Sequence, residues 1–250
     1  MAERHIVVLD LETAHSAEDC RHCGQPQTRH ENLTAEGWPA GTPEVWKCRR
    51  DGTDLFDPLG WGNKAALGLS IGCVYWYAGD RYEFFDVHTL AQTMRHVVDT
   101  QPLLVSFNGI AFDFPLMRGL LRQCAEALND SDPGTAVWLE GICDAFQTLC
   151  ATSYDLLAEI WQVDPARKFE RGLHSLDAIS QANGLGAKAM TGAQAPRLWQ
   201  EGRYAEVLNY CQGDVRKTKA LFELICAGKP ILRGDGTPMT LPPPPQFSFA

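Results

Sequence analysis

The run Ile6-Val7-Val8-Leu9-Asp10-Leu11-Glu12-Thr13 decides how the rest of the chain is read. Its four consecutive aliphatic residues, three of them β-branched, describe a central strand covered on both faces, because a half-exposed strand would alternate apolar with polar. Asp10 and Glu12 interrupt the apolar run at its C-terminal end. Residues two apart in a strand project to the same face, so the two carboxylates leave the strand side by side while Leu11 turns into the core. Like charges that close repel, and a cation between them keeps both ionised. Oxygen-only ligation favours a hard ion, Mg²⁺ or Mn²⁺, over zinc. The alternative for this motif alone is a solvated strand end whose carboxylates cap a turn.

Outward from the strand, residues 14–63 read as neither helix nor strand for any length. They carry Cys20-Arg21-His22-Cys23-Gly24 and Trp46-Lys47-Cys48-Arg49-Arg50-Asp51. A Cys-x-x-Cys followed by a Cys-x-x-Asp has the spacing of a small zinc-binding insertion, with Cys20, Cys23 and Cys48 as ligands and Asp51, His22 or His30 available as the fourth. The alternative is a loop with incidental thiols.

Regular patterning begins at Leu67. The strand-like runs 67–77 and 82–87 are joined by Ala78-Gly79-Asp80-Arg81, a hairpin signal. Thr89 is placed to cap a helix through Leu90, Met94, Val97 and Val98, and Leu103-Leu104-Val105 makes the next strand. A hairpin, a helix and another strand suit a mixed sheet with helices packed on it. In Ser106-Phe107-Asn108-Gly109-Ile110-Ala111-Phe112-Asp113, Asn108-Gly109 is a sharp turn and Asp113 opens a helix. Asp113 reads either as a carboxylate stabilised by the helix N-terminus or as a third metal-site acid, on the same sheet edge as Asp10 and Glu12 if the strands are parallel.

Residues 129–141 read as a turn-rich connection. Asp155 is either another edge-of-sheet acid or a plain helix start; Ser175 caps a helix stopped by Gly184, with His174 before it read as structural. In the last helix Tyr210 and Asp214 are four apart and so neighbours on one face. Alone they could be a plain hydrogen-bonded pair. Residues 234–250, with Pro242 to Pro245 in a row, read as an extended or disordered tail.

Asp10-Leu11-Glu12, Asn108 to Asp113, and Tyr210-x-x-x-Asp214, in this order and with a hairpin between the first two, resemble the DEDDy branch of the DnaQ-like 3′-5′ exonucleases. Residues 176–221, including Gln181 to Lys188 and Gly202-Arg203-Tyr204, are similar to predicted exonucleases related to the proofreading domain of family B DNA polymerases. The resemblance implies a ribonuclease H-like mixed sheet with helices on both faces, interrupted after the first strand by the Cys-containing insertion, so that residues 1–233 form the nuclease domain around residues 14–63. It implies four metal-binding acids, Asp10, Glu12, Asp113 and Asp214, holding two Mg²⁺ or Mn²⁺. The histidine branch places its His five residues before the last Asp, where this chain has Asn209; Tyr210 marks the tyrosine branch. Two metals about 3.5–4 Å apart activate water and neutralise the phosphate, and Tyr210 would orient the water. Thr13 and Asn108 are further candidate substrate contacts, Lys188 and Arg203 candidates for substrate phosphates, and Phe112 for stacking on the terminal base, with core packing as its alternative.

The expected activity is release of 5′-mononucleotides from 3′ ends of single-stranded DNA. The alternatives are a 3′-5′ exoribonuclease or a non-catalytic nucleic-acid-binding or adaptor module recruited through the insertion or tail. The net charge of −9 argues against a module that holds nucleic acid by bulk electrostatics. Nine cysteines without secretory context point to reduced thiols and not a disulfide framework, the insertion offers a site for one structural zinc, and the opening residues lack a signal peptide's pattern, so a cytoplasmic protein is expected. No apolar run approaches membrane-spanning length.

Overall fold

In the computed structural model, which describes residues 5–26, 31–32, 46–48, 57–187 and 190–245, the opening run forms β1 (Ile6–Thr13) at the centre of a five-stranded sheet. β2 (Glu31–Asn32) and β3 (Trp46–Lys47) make a short pair of their own within the insertion. β4 (Leu69–Trp76) and β5 (Arg81–Phe85) form the expected hairpin, with both Gly79 and Asp80 at positive φ in its turn. α1 (Leu90–Thr100), β6 (Leu103–Ser106), α2 (Asp113–Leu128), α3 (Pro133–Cys150), β7 (Tyr154–Asp155) and α4 (Leu156–Val163) follow. α5 (Leu176–Ala182), α6 (Ala195–Gln200), α7 (Tyr204–Cys226) and the small hairpin β8 (Ile231–Leu232) and β9 (Pro238–Met239) complete the chain. Among the described residues, no helix is long and apolar enough to cross a membrane.

The sheet order is β5-β4-β1-β6-β7. β4 runs antiparallel to β1, while β6 is parallel to β1 and β7 to β6. Alternation along β1 divides the molecule into two cores. Val7, Leu9 and Leu11 join Val74, Trp76, Phe85 and the apolar stripes of α1, α2 and α3 on one face. Ile6 and Val8 join Cys73, Tyr75, Leu103 and Val105 on the other, under α4, α5 and α7. Helices therefore cover both faces. By the same alternation Asp10 and Glu12 fall on the α7 side.

Three local expectations are corrected. Residues 129–141 are no turn-rich connection beyond Asp132: Asp132 caps α3 by accepting the backbone N–H of Thr135, and Pro133 sits at the first helical position, where its missing N–H costs nothing. Thr89 precedes α1 but does not cap it, because its hydroxyl is occupied by Asp86, accepting the Asp86 N–H at 3.0 Å and donating to Asp86 Oδ1 at 2.9 Å. Ser175, in contrast, caps α5 as expected. The third correction is the start of the tail. Residues 234–241 belong to the folded body: β9 pairs with β8, Met239 and Leu241 are buried, and Tyr154 Oη donates to the carbonyl of Pro242 at 2.7 Å. Two apolar side chains and a turn at Gly236 are enough to fold a segment that composition alone describes as an arm.

Candidate active site

The C-terminal end of β1 outruns its parallel neighbour. β6 pairs with Ile6, Val7 and Val8 only, so the backbone beyond Leu9 has no strand partner on that side. The Asp113 carboxylate fills the gap, accepting the backbone N–H of Leu11, the residue between the two acids of β1. On the other side β4 continues alongside and the register slips between Glu12 and Thr13. The extra residue of this bulge, Ser70, donates its hydroxyl to the Glu12 carbonyl at 2.9 Å, which closes the strand where the acids leave it.

Asp113 arrives there because the loop from β6 turns sharply. Asn108 takes positive φ (73°), and a Cβ on Gly109 would lie 2.5 Å from Ser106 Oγ, so only glycine fits. The turn is wound around Asp155, which ends β7 and caps α4. Its carboxylate is buried and accepts Ser106 Oγ (3.1 Å) and the backbone N–H groups of Asn108, Ile110 and Ala158 (3.0, 3.0 and 3.1 Å). Asp155 is thus a helix start whose second task is to hold the loop that delivers Asp113.

From the α7 face, Tyr210, Cys211 and Asp214 all come in buried. α7 packs on β1 and β4, and Cys211 Sγ donates to the Asp10 carbonyl at 3.6 Å. Ligand atoms of Asp10, Glu12 and Cys211 lie within 4.8 Å of one another. Burial and the carboxylates of Asp10, Glu12 and Asp214 push the Cys211 thiol well above its ordinary value. It remains a protonated thiol and backs the site without serving as a thiolate. Tyr210 is raised strongly by burial, then by Asp214, Glu12 and Asp10, and its hydroxyl is hydrogen-bonded to Asp214. Its phenol is therefore a donor and not a base. Burial, followed by the charge of Asp155 and with Asp214 adding to it, raises Asp113 to about 7 against the hydrogen bonds it accepts. Asp113, by its bond to Leu11, and Asp214, beside Tyr210 and Cys211, thus reach the strand end that Asp10 and Glu12 leave.

The other expected contacts are distributed around this point. Thr13 is buried opposite Leu69, just past the bulge. Phe112 immediately precedes Asp113 and is partly buried against the core. Arg203 starts α7, and its guanidinium is held by Glu206 at 2.6 and 2.7 Å, so a phosphate would compete with that pair. Lys188 lies outside the described residues. The sequence reading singled out neither Cys211 nor Lys217 as a site residue. Lys217 Nζ approaches Asp214 Oδ1 at 4.0 Å and donates to the carbonyl of Ala187 at 3.3 Å. Its position three residues after Asp214, one helical turn along, was the available signal.

A second cluster lies in the insertion, where the sulfurs of Cys20, Cys23 and Cys48 also fall within 4.8 Å of one another. Gly24 turns at φ +67° and donates to the Cys20 carbonyl at 2.7 Å. Burial works against ionisation of Cys20, but backbone N–H groups of Asp57, His22 and Cys23 directed at its sulfur lower it to about 6. Cys23 is raised to about 11 by burial and by its sulfur neighbours. Amides converging on a thiolate among further sulfurs suit a soft or borderline cation such as zinc. Asp51 and His30, expected as possible fourth ligands, lie outside the described residues.

A mixed five-stranded sheet covered on both faces, with acids collected at the end of its first strand, is a ribonuclease H-like exonuclease fold. The chain belongs to the family of predicted 3′-5′ exonucleases related to the exonuclease domain of PolB, which matches residues 80–227. Asp113, Tyr210 and Asp214 fall inside the matched span, while Asp10 and Glu12 precede it. No curated protein and no solved structure matches the chain. Membership in the family supports nuclease activity on a nucleic acid.

Proposed function

We propose that the chain is a DEDDy-type, metal-dependent 3′-5′ exonuclease that removes 5′-mononucleotides from the ends of single-stranded DNA. The observation that supports this reading is that Asp113 of α2 accepts the N–H between Asp10 and Glu12 of β1, while Asp214 of α7 acts on the same Tyr210 and Cys211 side chains as those two acids. The donor set suits hard cations: the four acids offer carboxylate oxygens, which fits Mg²⁺ or Mn²⁺. Asp10, Glu12, Asp113 and Asp214 would hold them. Bound there, two such ions supply an activated water and neutralise charge on the scissile phosphate.

The chain's own residues then do the positioning. Tyr210, kept protonated and donating to Asp214, would accept a hydrogen bond from the attacking water at its phenol oxygen and so orient it. Asp155 fixes the loop of Asn108 to Phe112 and with it the reach of Asp113. Lys217, 4.0 Å from Asp214 Oδ1, offsets part of the negative charge that the acids bring together. Thr13, Asn108, Phe112 and Arg203 are the proposed substrate contacts around this centre, and Lys188, outside the described residues, is a further proposed phosphate contact. Cys20, Cys23 and Cys48, with Asp51, His22 or His30 as fourth ligand, would hold one structural zinc in the insertion.

The test is a 5′-labelled single-stranded oligonucleotide, as DNA and as RNA, incubated with Mg²⁺ and with chelator. Stepwise shortening from the 3′ end of DNA, abolished by chelator and by Asp10→Ala, is expected. Faster shortening of RNA would move the activity to an exoribonuclease, and no shortening of either would overturn the nuclease reading.

A further inference from the structure

Among the described residues of the insertion, Trp61 is a conspicuous exposed aromatic, 64% accessible. It is not isolated. Its ring lies 6.1 Å from that of Phe112, tilted at 58°, and the ammonium of Lys64 stands 5.5 Å from the Trp61 ring and 5.7 Å from the Phe112 ring. Lys64 Nζ also donates to the carbonyl of Trp61 at 2.5 Å, so the cation is held between the two rings.

The cluster sits at the edge where the acids emerge. The 3-10 turn Lys64–Leu67 is hydrogen-bonded to the chain leaving β1, Ala14 N–H to Gly68 O at 3.2 Å and His15 N–H to Leu67 O at 2.9 Å, only two and three residues beyond Glu12. The same turn packs on α2 so closely that a Cβ on Gly119 would lie 2.7 Å from Ala65 Cβ. Phe112 is bonded directly to Asp113. On its other side, the segment leading into Trp61 is tied to the Cys20 knuckle, through Arg21 N–H to Asp57 O (2.7 Å), Leu59 N–H to Asp19 O (2.9 Å) and Gly60 N–H to Ala17 O (2.8 Å). Trp61 is thus presented on a braced backbone, beside a cation, next to a centre proposed to hydrolyse phosphodiesters.

We propose that Trp61 and Lys64, carried beside Phe112 by the segment tied to the cysteine knuckle, form a stacking subsite for unpaired nucleobases upstream of the scissile phosphate. The proposal rests on the exonuclease reading and adds the part of the substrate that this edge recognises. An indole face accepts any base without sequence preference, and the ammonium matches the backbone phosphate that accompanies the base. A paired base presents no free face, so the subsite favours single strands. The cysteine cluster acquires a role as well, since any cation that orders the knuckle also orders the chain that presents Trp61.

The test compares wild type with Trp61→Ala and Trp61→Phe on two substrates. One is a single-stranded oligonucleotide; the other is the p-nitrophenyl ester of thymidine 5′-monophosphate, which has no upstream base. Trp61→Ala is expected to raise KM for the oligonucleotide about tenfold, in line with the loss of one base stack, with kcat and ester hydrolysis unchanged, and Trp61→Phe is expected to recover most of the loss. On unaltered protein, with Ca²⁺ in place of Mg²⁺, an oligonucleotide carrying 5-iododeoxyuridine next to its 3′ terminus is expected to photocrosslink to Trp61 or Phe112. Unchanged oligonucleotide KM in Trp61→Ala, or crosslinks mapping elsewhere, would overturn the subsite. Crosslinking at Trp61 in a protein that hydrolyses neither substrate would instead overturn the exonuclease reading and leave the subsite standing.

Discussion

At the scale of single residues, the balance is set by Asp113. Burial and the neighbouring acids hold it at about 7 in the metal-free protein, above the ordinary carboxylate value of about 4. Between those two values the native state keeps a proton that the unfolded chain gives up, so stability falls as pH rises through the window. Were Asp113 to hold an ion as proposed, binding would require the ionised form, so affinity for Mg²⁺ is expected to rise across the same interval. The Asp113→Asn variant has no such proton to lose. In chelator its thermal midpoint should decline less than that of the wild type between about pH 5 and pH 8, as read by scanning calorimetry; equal declines would remove the buried-acid account. Asp10 and Glu12 were legible in the sequence because polar residues two apart at the end of an apolar strand admit few explanations. Asp155 was legible only as a choice between an edge acid and a helix start, and it is both an edge residue and the cap of α4. Its grip on Ser106, Asn108 and Ile110 spans 45 to 49 residues of sequence, beyond the reach of any local pattern.

At the scale of elements, the β4–β5 pairing shows how closely the sheet next to β1 is packed. Gly72 stands opposite Phe85, whose ring covers the glycine so completely that a Cβ there would lie 2.0 Å from Cζ. Phe85 is buried among the helices of one face and has no free direction to swing. Gly72→Ala is therefore expected to cost about 1–3 kcal/mol of stability by overpacking, measured by denaturant unfolding, with the fold retained. A neutral result would mean the ring moves more freely than its burial allows. Strands and helices with clean periodicity, β1, the hairpin, α1 and α7, were readable from sequence. α3 was not, because Asp132-Pro133-Gly134 looks like a turn unless the proline is recognised as the first helical residue. Thr89 failed as a cap because a stronger acceptor, Asp86, stands three residues before it and takes its hydroxyl. The β8–β9 hairpin was hidden by the prolines that follow it.

At the scale of the whole molecule, the insertion and the ribonuclease H-like body are tied together at the point where β1 ends. Cys20 pairs with Pro58, Gln200 Nε2 reaches from α6 to the Ala14 carbonyl at 3.2 Å and to Asp19 Oδ2 at 3.0 Å, and the acids lie just inside this seam. One zinc per chain is expected by elemental analysis of the purified protein. Cys23→Ser should lose it and unfold at a lower temperature, whereas zinc-free wild-type protein would exclude the structural ion. The spacing of the cysteines was visible in the sequence. Their connection to the substrate edge was not, since it runs through backbone hydrogen bonds that any residues could make. The central claim is that carboxylates distant in sequence, on β1, α2 and α7, form one two-ion site. Its most direct test is a Mn²⁺ titration followed by electron paramagnetic resonance, with thymidine 5′-monophosphate present to complete the coordination. The account predicts two spin-coupled Mn²⁺ per wild-type chain and loss of the coupled signal in both Asp10→Ala and Asp214→Ala; isolated Mn²⁺ signals, or a coupled pair that survives either substitution, would contradict it.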